Sequence, residues 1–275
     1  MNPWKHFVTE NPMMEEVYRN NRRLSKMRYN GAQIAAGAIA AVIYLFFMFI
    51  VWTTGGSAPP QVMLYILMGV LIFVLPISLH GVISGEREKR SLEMLLSAPV
   101  TSGQIVAAKF LRGWLILTVS FALFVIPAIL LAIQKTITPD SAEQMPAFLM
   151  LPVGSLVIFT ASIFISALSI NVSSWAKNTA SSMVIVIGLL FSLLVIVPFV
   201  WGLLSNAFGL SSLSTLIFHF NPMTALAISV QDFKETTEES TVSQAVLYAI
   251  ALPMWLIAAG GLLYAATVRL DKERK

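Results

Sequence analysis

The sequence contains no cysteine and few charged residues, and these two deficits exclude several classes of protein. Asp, Glu, Lys and Arg make up 12% of the 275 residues, against about 25% in an ordinary soluble domain. Without cysteine the chain can form neither a disulfide scaffold nor a thiolate metal site. A hydrophobic content of 57% excludes intrinsic disorder, and a water-soluble fold would leave much of that apolar surface in solvent. The composition therefore predicts an all-α integral membrane protein.

Six apolar stretches are long enough to cross a bilayer as helices, because a hydrocarbon core about 30 Å thick needs roughly 20 apolar residues. None of them contains Asp, Glu, Lys or Arg. We predict spans at residues 34–53, 62–84, 113–133, 148–170, 183–204 and 245–267. These form one transmembrane domain, 34–268, between an N-terminal segment, 1–33, and a tail, 269–275.

Positive charge is distributed unequally between the two sides of these predicted spans. Of the 18 Lys and Arg residues, 16 fall in the N-terminal segment, the second and fourth connections and the tail. Because Lys and Arg concentrate in cytoplasmic loops, both termini are predicted to be cytoplasmic. The positive net charge then reflects membrane topology, and we infer no nucleic-acid partner.

Residues 11–29 precede the first predicted span and have helical periodicity. Met13, Val17, Leu24 and Met27 fall close to one face, and basic residues surround it. This pattern predicts an amphipathic helix in the cytoplasmic interface, with its cations at anionic lipid head groups. The alternative is a basic tail that only fixes the topology.

A dense run of mixed charge follows the second predicted span, at residues 85–90, and leads into a short amphipathic helix. Leu92, Leu95 and Leu96 fall on one side of that helix, and Pro99 ends it. Such a helix between two spans can pass a push from a partner into the membrane. An ordinary solvated connector is the alternative, and composition alone does not separate the two.

The next helix is predicted to begin after Thr101. Gln104 follows three residues later, which is the spacing of a capping box, in which each side chain bonds the backbone N–H of the other residue.

The fourth predicted span carries hydroxyl side chains, mostly three or four residues apart. They are Ser155, Thr160, Ser162, Ser166 and Ser169. This stripe could line a translocation path, for which the candidates are Thr160, Ser162, Ser166 and Ser169. Close packing between helices is the other interpretation, and it is the commoner use of Ser and Thr in membranes.

Several chemical signatures are missing from the sequence. It has no phosphate-binding loop of the Gly-x-x-x-x-Gly-Lys-Ser/Thr type, so the chain does not hold ATP by that route. The spans have no carboxylate for proton or sodium coupling. His219 near Met223 is the best metal candidate, but methionine in an apolar chain usually fills packing gaps. We predict no metal site and no catalytic residue.

The charged connection resembles the hallmark of ABC-2 type transporter permeases. It reads Glu86-x-Glu88-x-x-Ser91-Leu92-Glu93-x-Leu95-Leu96-x-x-Pro99-Val100, followed by Ile105 and Lys109-Phe110. The family pattern has an acidic residue, a Gly-Thr-Leu-Glu stretch, two leucines, a proline and a valine. This chain departs from it by carrying Arg90-Ser91 where Gly-Thr is common. The basic segment 11–29 and the span count are also similar to the family.

The resemblance implies a role for two segments. The segment 86–99 would form or flank a coupling helix that docks on a separate ATPase, and the stretch 205–241 would hold short re-entrant helices on the outer face. The coupling residues implied are Glu86, Arg87, Glu88, Arg90, Ser91, Leu92, Glu93, Leu95, Leu96 and Pro99.

The function implied by the resemblance is that of the membrane permease subunit of an ABC exporter, in a bacterial or archaeal inner membrane. Two copies of a cytoplasmic ATPase would bind ATP and Mg, so this chain would be neither an enzyme nor a cofactor protein. A second permease chain, identical or closely related, and membrane lipids would be its other partners. Two alternatives remain: a chain that transmits force to an extracytoplasmic partner, and an ATP-independent channel or carrier.

Overall fold

The structure is a computed structural model that describes residues 61–137, 145–209, 221–231 and 238–274, together with Phe49 and Thr53. The N-terminal segment 1–33, with its predicted interfacial helix, lies outside the described residues. So do His219 and all but two residues of the predicted span 34–53. Every regular element of the described part of the chain is helical.

Nine helical elements and one π-helical segment make up the described residues. They are α1 (Gln61–Leu79), α2 (Ser84–Glu88), α3 (Leu92–Ser97), α4 (Ser102–Ile137), α5 (Met145–Trp175), α6 (Thr179–Phe191), the π segment (Ser192–Ile196), α7 (Val197–Phe208), α8 (Pro222–Gln231) and α9 (Glu238–Arg274). Within this part, five stretches are long and apolar enough to cross a membrane. They overlap the second to sixth predicted spans, which confirms a multi-pass helical membrane protein.

The helices do not end where the apolar stretches end. The third predicted span begins at residue 113, yet α4 begins at Ser102 and has 36 residues, or about 54 Å of helix. Similarly, α9 continues to Arg274 through the predicted tail. Conversely, α1 ends at Leu79, before the predicted end of the second span at residue 84. Hydropathy identifies only the apolar part of a membrane helix. The helix itself extends as far as its backbone N–H and C=O groups remain hydrogen-bonded in the helical pattern.

Helix α5 is the centre of the bundle. It buries 61% of its most apolar 18 residues, against 11% for the corresponding parts of α4 and of the α6–α7 span. It contacts α1, α4, α6 and α9, as well as α8, which lies in the stretch predicted to be re-entrant. The re-entrant placement of α8 itself stays a prediction.

The predicted hydroxyl stripe lies on this central helix and is buried. Thr160, Ser162, Ser166 and Ser169 are all almost inaccessible to solvent. Ser162 and Ser169 each donate to a carbonyl one turn earlier, at 2.7 Å, and Thr160 does the same at 2.9 Å. Hydroxyls bonded within their own helix leave a smooth surface for neighbours, so the geometry favours helix packing. Their role in a translocation path stays a prediction.

Asn221 joins α8 to the fifth predicted span at a proline. Pro198 has no N–H, which leaves the carbonyl four residues earlier, that of Leu194 in the π segment, without its helical partner. The Asn221 side chain donates to that carbonyl at 2.9 Å. Its Oδ1 also accepts the Met223 N–H at 2.9 Å and so caps α8. Prolines in membrane helices are tolerated where a neighbour satisfies the freed carbonyl in this way.

We expect Asn221→Asp to destabilise the protein by about 1–3 kcal/mol, because it keeps the cap acceptor but loses the donor to the partly buried Leu194 carbonyl. The matched control is Asn178→Asp. Asn178 caps α6 through Oδ1, which accepts the Ser181 N–H at 2.8 Å, and it is exposed, so aspartate should serve equally well there. Thermal unfolding in detergent measures both. Equal shifts in Tm would contradict the role given to the amide donor.

Candidate functional site

The break between α1 and α2 is held by hydroxyl groups from two neighbouring helices. Ser173 of α5 accepts hydrogen bonds at 3.0 Å from the backbone N–H groups of both Ile83 and Ser84. Ser182 of α6 donates to the His80 carbonyl at 2.6 Å. Helix ends leave such groups unpaired, and an unpaired amide away from water is costly. The connection is therefore fixed against α5 and α6 just before its charged residues begin.

Arg87 joins the ends of two further helices. Its Nη1 donates to the Ala176 carbonyl at 2.5 Å, and its Nη2 donates to the Ser174 carbonyl at 2.7 Å, both at the C-terminal end of α5. Nη2 also lies 2.7 Å from the Glu273 carboxylate in the last turn of α9. A cation is favourable at the carbonyl end of a helix. The planar guanidinium can serve all three acceptors at once.

The two glutamates of the motif hold the remaining helices. Glu86 forms an ion pair with Lys109 of α4, and both side chains are largely buried. Glu88 accepts the Thr179 N–H at 3.1 Å and its hydroxyl at 2.7 Å through one carboxylate oxygen. Thr179 is the first residue of α6, where an anion is favoured by the helix dipole.

The left-handed backbone of Arg90 explains why glycine is common at this position of the motif. Helix α2 ends in a Schellman motif, in which the Arg90 N–H bonds the Arg87 carbonyl and the Ser91 N–H bonds the Glu86 carbonyl. Such a motif places one residue in the left-handed region, usually glycine. Here Arg90 adopts it with φ of 56°. Of the described non-glycine residues, it is the one with positive φ.

Helix α3 has one buried face and one exposed face. Leu92 and Leu96 are buried and Leu95 is partly buried in a cluster formed with the ends of α1, α4, α5 and α9, as the leucine spacing predicts. Met94 on the opposite face is 71% exposed. The helix ends at Ser97, before Pro99.

The short connection between α3 and α4 is also held by hydrogen bonds. Thr101 and Gln104 form the predicted capping box, since the Thr101 N–H bonds the Gln104 side chain at 2.9 Å and the reverse bond is 3.3 Å long. Arg274 of α9 donates to the Val100 carbonyl at 2.7 Å and to the Ala98 carbonyl at 3.0 Å.

The structure thus brings the ends of α1, α4, α5, α6 and α9 together around α2 and α3; we call this region the charged end. Sequence analysis identified the charged connection but missed its partners Ser173, Ser174, Thr179, Ser182, Glu273 and Arg274. One of these partners had a signal in the sequence: Ser173 continues the three- and four-residue spacing of Ser162, Ser166 and Ser169, which places it on the same face of the helix. No group of three or more metal-ligating side chains occurs among the described residues.

Residues 60–273 match the family described as ABC-2 family transporter protein. The chain belongs to the ABC-2 transporter family. The match covers most of the chain, including all of the charged end except Arg274, and it confirms the resemblance drawn from the motif. A search of curated proteins found no match to the chain.

We expect Arg87→Lys to destabilise this ABC-2 permease by about 1–3 kcal/mol, because one ammonium cannot reach two carbonyls and a carboxylate together. The control is Arg112→Lys on α4, where the arginine is exposed. Both variants keep their charge, so membrane topology is unaffected. Thermal unfolding should separate them, and equal Tm values for the two variants would contradict the bridging role of Arg87.

We expect Arg90→Gly to stabilise the protein, by up to about 1 kcal/mol, because glycine adopts positive φ without the steric cost that arginine pays. The greater freedom of glycine in the unfolded chain offsets part of this gain. Lys89→Gly, one residue earlier at negative φ, should instead destabilise. A lower Tm for Arg90→Gly than for wild type would contradict this expectation. It would show that the arginine side chain stabilises the fold by more than its positive φ destabilises it.

Proposed function

We propose that this chain is the permease subunit of an ABC exporter, driven by ATP hydrolysis on a separate cytoplasmic ATPase. Two permease chains and two ATPase copies would form the working complex. Membership of the ABC-2 family supports a membrane permease of this type. To this we add three proposals: that transport is outward, that an ATPase docks on the charged end, and that its movement is transmitted to the membrane helices.

The observation that carries the proposal is the way α2 and α3 are attached. Each neighbouring helix end has its own polar contact with the connection, through Lys109 of α4, Ser174 of α5, Thr179 of α6 and Glu273 of α9. A solvated connector has no need of these contacts. These contacts are made by α2, so a force applied to α3 would pass through α2 to four membrane helices at once, which is the requirement for rigid-body gating.

The surface that is left for a partner lies on the opposite side of α3. Lys89, Glu93, Met94 and Ser97 are exposed, and Met94 is apolar and flexible, which suits a protein contact. Glu86, Arg87 and Glu88 are instead bonded within the chain. We therefore assign docking to the exposed residues and positioning of the helices to the three internally bonded ones.

In this mechanism the ATPase dimer closes on ATP and displaces α3. The displacement passes through the charged end to the membrane helices, which tilt and open a path between two permease chains. This scheme needs no carboxylate within the spans, consistent with their composition.

The test is a tagged purification from the native membrane in mild detergent, with subunit identification and an ATPase assay on the eluate. We expect a stoichiometric ABC ATPase with wild type and at least a tenfold loss with Glu93→Lys combined with Met94→Glu. These changes fall on exposed side chains, so folding should be unaffected. Asp271→Lys, an exposed acid of α9, is the charge-reversal control and should retain the ATPase.

Retention of the ATPase by the α3 variant would contradict docking at this surface. A homo-oligomer without ATPase, also in membranes crosslinked before solubilisation, would contradict the proposed function itself and favour a channel or carrier.

A further inference from the structure

An open groove of about 770 Å³ lies between the ends of α5 and α9, beside the charged end. Its walls include Trp175 at the end of α5 and Tyr264, Val268, Arg269 and Lys272 of α9. Tyr264, Val268 and Lys272 are each four positions apart, and Arg269 is next to Val268, so these α9 residues form one stripe along the helix. The volume falls within the range of small-ligand sites.

The groove carries positive charge that no described acid neutralises. No acid among the described residues pairs with Arg269 or Lys272, and both are exposed. The one acid in the lining, Glu273, is already bonded to Arg87 at 2.7 Å. The neighbouring Asp271 does not line the groove. Two cations therefore face the same space without a counter-charge from the part of the chain that the structure describes.

The polarity of the groove changes along α9. Tyr264, Ala265 and Val268 line the part nearer the membrane centre, and Arg269 and Lys272 line the part nearer the helix end. Tyr264 and Lys272 are eight residues apart, or about 12 Å along the helix. Trp175 is 38% exposed at the same level, as expected for an aromatic residue at the membrane interface. An apolar wall leading into a cationic end matches the polarity of a phospholipid.

We propose that this groove binds one anionic phospholipid of the leaflet that surrounds the charged end. Its phosphate contacts Arg269 and Lys272, and its acyl chains follow Val268 and Tyr264. A free phosphate ion would use the cations but would gain nothing from the apolar wall, which is why we assign the site to a lipid. The assignment does not depend on an ATPase or on transport.

The first test is native mass spectrometry of the purified full chain with phosphatidylglycerol or phosphatidylcholine added. Wild type should retain phosphatidylglycerol preferentially. Arg269→Gln combined with Lys272→Gln should bind it roughly tenfold or more weakly, given the contribution of each cation near anionic lipid. Arg112→Gln combined with Lys177→Gln removes two exposed cations outside the groove and should bind like wild type.

Equal retention by the groove variant and by wild type would overturn the proposal. Loss of the bound phosphatidylglycerol in millimolar inorganic phosphate, but not in chloride of equal ionic strength, would overturn the lipid assignment in favour of a phosphate ion.

A second measurement covers the case in which the groove variant folds poorly. Brominated phosphatidylglycerol should quench tryptophan fluorescence of the wild type more than brominated phosphatidylcholine does. The excess should disappear in Trp175→Phe, which identifies the quenched residue among the six tryptophans. An excess that persists in Trp175→Phe would place the lipid elsewhere and overturn the proposal.

Discussion

The charged end depends on hydrogen bonds to the backbone N–H and C=O groups at the break between α1 and α2. Between Leu79 and Ser84 the chain leaves helical geometry at the edge of the apolar region, where water is scarce and free amide and carbonyl groups are costly. Ser173 and Ser182 supply the missing partners from α5 and α6. Without Ser173, the Ile83 and Ser84 N–H groups would lose these side-chain partners at the break.

Once the chain turns, the charges of the connection separate into two groups by what they face. Glu86, Arg87 and Glu88 each neutralise or cap a group on a neighbouring helix. The other charged residues of the connection, Lys89, Arg90 and Glu93, are exposed. The same separation occurs on α9, where Glu273 is bonded to Arg87 and the neighbouring Lys272 is exposed. The identity of a charged residue alone therefore does not indicate whether it serves the fold or a partner.

Local features of this protein could be predicted from the sequence, whereas its long-range contacts could not. The capping box at Thr101 and the buried leucine face of α3 depend on residues a few positions apart, so short-range patterns identify them. The partners of Arg87 are 87 to 186 residues away, and no local pattern encodes them. Hydropathy places only the apolar span at residue 113, because the turns around Lys109 are helical without being apolar, whereas the capping box correctly predicts the start of α4 at Ser102.

The long separation of these partners has a consequence for biosynthesis. Arg87 enters the nascent chain well before Ser174 and Ala176, and its last partner, Glu273, is 186 residues further along. Because membrane chains are inserted from the N-terminus as they are synthesised, the connection must remain hydrated at the membrane surface until α9 has been synthesised. Closing a loop of that length costs entropy. The region that joins the ends of these five helices is thus completed only after α9 has entered the chain.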